Sequence, residues 1–385
     1  MLLIKLASKQ RIIVEDQSTK DILKKGFFGK ESQGGLELSV EEALYLIDVR
    51  NATCTKGKKE ITFNDLAEKS WKKSKFIARY FTYKDWRDRG LVIKELSFKF
   101  KEPMGTTNKE YPSGRLDLPK YDLTGIFFKT DFISIIDDKE KGKELYDLLW
   151  FGQYGSYKAS DRGQLNKLDL FETLFLIEKG MLTLTNITKK ELLAYVLSKR
   201  KDVLRLFEVY KDWRERGYVI KTGFKFGTHF RVYFPGARPT KNDINNWIHS
   251  KHVIHVFPKD SRLLISEWAR AIRVAHSVRK TFILAVPGKT KEKKAQLDYV
   301  LYHRKGGEAE TPSTTSPKYA MLSLSEDEYI GGSEFAGAIT EAKKRKMELI
   351  LAIADRETSV TYYKVRQIRL PNSDNDYYEI DWLQP

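Results

Sequence analysis

The sequence predicts an α+β protein built of tandem units, each made of helices packed on small mixed β-sheets. Two recurrences and a switching apolar period predict it. YKDWRDRGLVIKE at 83–95 returns as YKDWRERGYVIKT at 210–222, and upstream EALYLIDVRN at 42–51 matches ETLFLIEKGM at 172–181. SEWARAIRVAHSVRKTFILAV at 266–286 is echoed more faintly by SEFAGAITEAKKRKMELILAI at 333–353. Between and within these repeats, stretches of helical period alternate with short runs of strand period.

The breaks agree with the repeats. KEPMGTTNKEYPSGRLDLP at 101–119 and KGGEAETPSTTSP at 305–317 are rich in Pro, Gly and polar residues and read as linkers. Three units follow: 1–103, holding an N-terminal module only; 118–305, a complete unit; and 315–385, holding the later module only. In the middle unit ITKKELLAYVLSK, DVLRLFEVYKDWRERG and the stretch from Asp260 to Lys280 have helical spacing. YVIKTGFKF, FRVYF, HVIHVF and TFILAV read as strands, and LILAIADRETSVTYYKV as a hairpin with a polar turn.

Composition limits the function. With 41% hydrophobic, 12% aromatic and 31% charged residues over 385 positions, the chain reads as a soluble globular protein. No apolar run is long enough to cross a membrane, and the opening MLLIKLASKQ lacks a signal-peptide core, so a cytoplasmic location is expected. The single cysteine, Cys54, leaves neither an intrachain disulfide nor a multi-cysteine zinc site. The formal charge is +17; residues 306–385 hold nine basic and fourteen acidic side chains, a balance of −5, so 1–305 carries +22. Such a basic region favours a polyanionic partner, nucleic acid first, and the acidic tail can dock onto a basic surface.

All six histidines fall between 229 and 303, so imidazole chemistry, if used, belongs to the middle unit. His252 and His255 have a spacing that suggests a metal, but residues three apart on a strand face opposite sides. On the 260–280 helix Leu264, Trp268, Ala271, Ile272, Ala275 and Val278 form an apolar stripe, with Arg273, His276 and Lys280 on another face. Cutting RNA without a metal takes a base for the 2′-hydroxyl, an acid for the leaving 5′-oxygen and a cation for the transition state. The middle unit holds all three types, and residue type alone leaves Tyr218, Tyr233, His249, His252 and His276 open.

RGYVIKTGFKFGTHFRVYFPG, HSKHVIHVFP and WARAIRVAHSVRKTFILAV resemble, in order and spacing, the signature segments of archaeal tRNA-splicing (tRNA-intron) endonucleases. The first unit resembles that family's N-terminal module and the tail the C-terminal part of a structural subunit. The arrangement resembles the three-unit, single-chain variety that pairs as homodimers mimicking four subunits. The resemblance implies cleavage of precursor tRNA at both exon–intron junctions of a bulge-helix-bulge motif, with no metal or other cofactor, leaving 2′,3′-cyclic phosphate and 5′-hydroxyl ends. By position it makes Tyr233 the general base, His249 the general acid and Lys280 the transition-state cation. Arg273 takes the place of an arginine that stacks on a flipped bulge base, with Arg304 the candidate for the second plane.

The departures matter too. An offset of 67 puts Met347 opposite Lys280 and Thr340 opposite Arg273, and neither the tail nor the first unit has the histidine segments; both are expected to be noncatalytic. The turn at Asp355 and Glu357 matches an acidic loop that family members insert into a basic pocket of a neighbouring unit. Gly152 to Glu172 spans 20 positions where Gly29 to Glu42 spans 13, so SYKASDRGQ is an insertion whose Tyr157, Lys158 and Arg162 suit RNA contact. Two readings compete: a noncatalytic structured-RNA-binding or assembly protein of the same fold, and a metal-dependent nuclease built on Glu341 and Lys343. The intact Tyr233, His249 and Lys280 count against the first. The second would place its chemistry in the tail.

Overall fold

A computed structural model describes residues 2–7, 11–68, 70–103, 105–157, 159–239 and 249–385. The α+β class expected from the sequence is the class observed. In the N-terminal unit, strands Leu3–Leu6 and Thr53–Lys56 pair in parallel, with Ile12–Val14 and Gly35–Leu38 added antiparallel. The middle unit repeats this with Leu123–Phe128 parallel to Leu182–Leu184, and Ile133–Ile136 and Asn166–Asp169 added antiparallel. Helix Val40–Arg50 of the first unit and helix Leu170–Glu178 of the second open with the same reciprocal cap, Ser39 with Glu42 and Asp169 with Glu172. Each cap satisfies two backbone donors that a helix start otherwise leaves unpaired.

The long sheet reveals the organisation. Its central strands are Val360–Arg369 and Asp376–Leu383, paired antiparallel. Outward on one side run Thr281–Val286, His252–Val256, Phe230–Tyr233 and Val219–Thr222; on the other run Glu348–Ala354, Tyr319–Ser325, Tyr299–Leu301 and Ile93–Glu95. The two sides match pairing for pairing, including the parallel ladders His252↔Thr281 and Tyr319↔Glu348. Strand Ile93–Glu95 therefore does for the tail what Val219–Thr222 does for the middle unit. Strand Tyr299–Leu301, at the end of the stretch read from sequence as the middle unit, joins the tail's side. One half of the molecule is 118–286; the other is assembled from 1–103 and 299–385, with the first half inserted between its parts.

Burial follows the same division. Trp86, Tyr83 and Leu44 pack with Tyr299, Met321, Ile350 and Tyr362 in one core. Trp213, Tyr210 and Phe175 pack with Val232, Ile254, Ile283 and Tyr377 in its counterpart. A third core lies between helices Ile265–Ser277 and Gly332–Lys344 and the other face of the sheet. Fully burying one large aliphatic or aromatic side chain stabilises by about 1.5–3 kcal/mol, so these interlocked faces bind the halves into one body.

The expected helix from Asp260 to Lys280 is shorter, Ile265–Ser277. Arg262–Leu264 instead form a strand against Tyr329–Gly331, which satisfies their backbone groups in a ladder. At the other end Arg279 takes a left-handed φ of 55°, and Lys280 N–H bonds back to the Ala275 carbonyl at 3.0 Å, a helix stop of the left-handed kind. Val278, expected in the apolar stripe, lies past the helix end and is exposed. The hairpin expected over the tail is present as Glu348–Ala354 and Val360–Arg369.

Candidate active site

In both halves a buried ion pair fastens the helical layer to the long sheet. Lys94 Nζ lies 3.0 Å from Glu42 and also donates to the Gly29 carbonyl, while Gly29 N–H donates to the same carboxylate. Lys221 Nζ lies 2.5 Å from Glu172 and donates to the Gly152 carbonyl, and Gly152 N–H donates to Glu172. Gly152 has φ +73°, and an added Cβ would sit 2.0 Å from Asn166 Oδ1; only glycine fits a turn that presents both backbone groups to one ion pair. Burial lowers the Lys221 pKa, opposed by Glu172.

In the 118–286 half this pair forms one wall of a cavity of about 650 Å³, lined also by Trp150, Tyr157, Phe226, Arg231, Tyr233, His249, Ser250 and Lys280. Tyr233 ends strand Phe230–Tyr233 and packs against Trp150 at 4.6 Å between ring centres, the rings tilted by 42°. Lys280 reaches the cavity because the left-handed residue before it turns the chain off the helix. Its ammonium sits 4.6 Å from the centre of the Phe226 ring and donates to the carbonyl of Ser250 and, at 3.0 Å, to its hydroxyl. The Ser250 hydroxyl also lies beside Tyr233, so one buried serine, next in the chain to His249, links two of the expected residues. Burial raises the Tyr233 pKa and the Arg231 charge partly offsets it. Burial lowers the Lys280 pKa, and Arg231 adds to that.

The structure thus brings Tyr233, His249 and Lys280 to one cavity. His276, level with Lys280 on an uninterrupted helix, stays on the helix with Nε2 3.1 Å from the Ile380 carbonyl oxygen. Tyr218 is fully buried and its hydroxyl donates to the Pro112 carbonyl. His252 packs on Phe234 and Tyr111, whereas His255 packs on His229 and Phe282; the two face apart. Burial depresses His229 and His252 to about 4 and His255 to about 3, so all three are neutral near pH 7.

Of the remaining candidates, Arg273, Arg304, Arg162, Asp355 and Glu357 lie outside the lining. Arg273 is exposed on helix Ile265–Ser277, beside Tyr363. Arg304 donates to the Arg89 carbonyl at 2.6 Å, which ties it to the N-terminal unit. Arg162 is exposed in the insertion, where the Ser156 hydroxyl donates to its carbonyl; Lys158 falls outside the described residues. Tyr157 of the same insertion lines the cavity, 5.0 Å from the Lys225 ammonium. Asp355 accepts from the backbone N–H groups of Glu357 and Ser359, holding the tail's turn with Glu357 exposed. Ser250 and Trp150 were not singled out from sequence; for Ser250 the available signal is its place within HSKH.

The tRNA intron endonuclease catalytic C-terminal domain matches residues 203–297, and its N-terminal domain matches twice, at 5–67 and 132–195. A tRNA-splicing endonuclease from Methanopyrus kandleri is 37% identical over 154 residues, covering 39% of this chain and 80% of that protein. Another, from Methanococcoides burtonii, is 28% identical over 345 residues, covering 72% of this chain and 94% of the relative. The chain belongs to the tRNA intron endonuclease family. The family's N-terminal domain occurs here in duplicate, as the repeat at 42–51 and 172–181 indicated, and the matched catalytic domain spans Tyr233, His249 and Lys280. By strand register, the tail-side half of this endonuclease puts Tyr302, Ser316 and Met347 where the cavity side has Tyr233, His249 and Lys280.

Proposed function

We propose that this endonuclease cuts precursor tRNA at both exon–intron junctions of a bulge-helix-bulge motif, without a metal ion, through Tyr233, His249 and Lys280. The observation that supports this reading is the convergence of Tyr233 and Lys280 on Ser250, beside His249, in an open cavity. Tyr233 takes the proton of the 2′-hydroxyl, whose oxygen attacks the adjacent phosphorus. The bond from phosphorus to the 5′-oxygen breaks, and His249 gives that oxygen its proton. Lys280 stabilises the charge that builds on the non-bridging oxygens, a contribution greatest in the transition state. The products are a 2′,3′-cyclic phosphate and a 5′-hydroxyl.

In the same reading Arg273, with Arg304 as the second plane, stacks on a flipped bulge base, and Lys158 or Arg162 touches the RNA backbone. Two chains pair as a homodimer that supplies one active unit per junction, and the turn at Asp355 and Glu357 enters a basic pocket of a neighbouring unit. Cleavage of a bulge-helix-bulge RNA in EDTA, with analysis of the ends, tests the core of it. Cutting at both junctions with cyclic phosphate ends is expected; loss of cutting in EDTA, or 3′-hydroxyl ends, overturns it.

A further inference from the structure

The two stretches read from sequence as linkers do more than join units. Residues 101–103, 105–109 and 305–318 fold against the tail's sheet and enclose a second cavity of about 900 Å³. Its lining is cationic: Lys101, Lys109, Lys305, Lys318, Lys364 and Arg366 contribute, with Lys346 at the rim held by Glu102, against two carboxylates, Glu310 and Glu348. Among the described residues Lys305, Lys318 and Lys364 form no ion pair; Lys101 donates to the Ser313 carbonyl at 3.3 Å, and Arg366 lies 3.6 Å from Glu348. Five hydroxyls share the wall, at positions 106, 107, 314, 315 and 316, and Thr315 Oγ1 is buried with no hydrogen-bond partner among the described residues. Four of the tail's nine basic residues, Lys318, Lys346, Lys364 and Arg366, line this concave face.

The position of this cavity is informative. Ser316 and Met347, the register counterparts of His249 and Lys280, lie on it and beneath its rim: Ser316 lines the cavity, and Met347 is buried between the lining residues Lys346 and Glu348. The cavity therefore borders the half-molecule's equivalent of the active site, with the acid–base groups replaced. Of its lining cations, Lys109 is held by the buried Glu379 at 2.7 Å.

We propose that the 900 Å³ cavity binds phosphates of the RNA backbone away from the scissile bond. This rests on the reading of the protein as an RNA-cutting enzyme. Lysines that have no carboxylate partner and border serine and threonine hydroxyls suit phosphate and ribose oxygens, and neutralising phosphates releases counterions.

The test is the salt dependence of binding, measured with the full chain and a bulge-helix-bulge RNA whose splice-site 2′-hydroxyls are replaced by hydrogen. Lys305→Ala, Lys318→Ala and Lys364→Ala together should weaken affinity about tenfold or more at moderate salt. They should also flatten the plot of log Kd against log salt by about two to three, near one for each lost phosphate contact. The triple Lys→Arg variant should bind like the parent, which separates lost charge from misfolding. An unchanged slope with normal melting overturns the proposal. So does a triple alanine variant that sediments at a different mass from the parent with an unchanged slope, which would make the cavity a protein contact. Parent cleavage of the unmodified RNA is scored separately, so failure of the enzymatic reading is visible apart from failure of this one.

Discussion

Where one half of the molecule holds Tyr233, His249 and Lys280, the other holds Tyr302, Ser316 and Met347 on the same backbone. The helix stops are alike: Arg279 has φ 55° and Lys346 φ 57°, and Lys280 and Met347 each bond back to the residue five before them, at 3.0 Å in both cases. The side chains then part. Lys280 enters a polar cavity, and Met347 is 1% exposed in the shared core. Tyr302 is wholly buried, with its pKa pushed up to about 12 by burial alone, while Tyr233 has Arg231 and Ser250 beside it. The fold supplies a position in both halves; the chemistry depends on what surrounds it.

The comparison can be broken most strongly at the paired lysines. Lys221→Met leaves Glu172 buried without its cation and should cost about 3–5 kcal/mol in denaturant unfolding. Lys94→Met should cost the same in the other half. A large loss in one and none in the other would show that the two halves are held differently.

Lys280→Met makes the active half resemble the tail. The single-turnover rate should fall by roughly 10² or more, the scale of a lost transition-state group, with little change in melting because Met347 shows that this turn accepts methionine. His249→Ala should cost about 10² in the same assay, whereas His276→Ala, on the helix against Ile380, should stay near the parent rate. The reverse result for the two histidines would displace His249 as the acid.

The pH profile sharpens the contrast between the tyrosines. If phenolate Tyr233 is the base, its fraction rises with pH, and a pKa raised by burial moves that rise upward. In the His249→Ala variant, where the acid no longer titrates, log rate should therefore climb through the neutral range without levelling below the ordinary phenol value of about 10. Because the Lys280 pKa is lowered, its charge is lost sooner on the alkaline side and bounds the climb from above. A plateau at pH 6–7 in that variant would remove Tyr233 from that role. The smallest effect belongs to Met347→Leu, which should cost under about 1.5 kcal/mol in melting and leave cleavage alone.

Much of this was legible in the sequence because repeats carry their own control. Matching 83–95 with 210–222 located equivalent helices and strands, and the insertion at SYKASDRGQ emerged from counting residues to Glu42 and Glu172. What stayed hidden were long-range pairings and backbone exceptions. Nothing in the three-residue strand Ile93–Glu95 announces a partner at Tyr299–Leu301, since register is set by tertiary contacts across the sheet. Nothing marks Arg279 as left-handed either, because that conformation is expected of glycine, and it decides that Lys280 and not His276 reaches the cavity. Ser250 was passed over since a serine beside a histidine carries no periodic signal.

The insertion of one half of the molecule between the parts of the other also sets a schedule. Strand Ile93–Glu95 leaves the ribosome with its ladder partner Tyr299–Leu301 still unmade, and at about 5–20 residues per second it waits roughly 10–40 s. The 118–286 half, contiguous in sequence, can close its sheet in that interval. The split half must meanwhile keep an unpaired edge from sticking to other chains, and Lys94, the strand's middle residue, places a charge on that edge until Glu42 and the returning tail bury it.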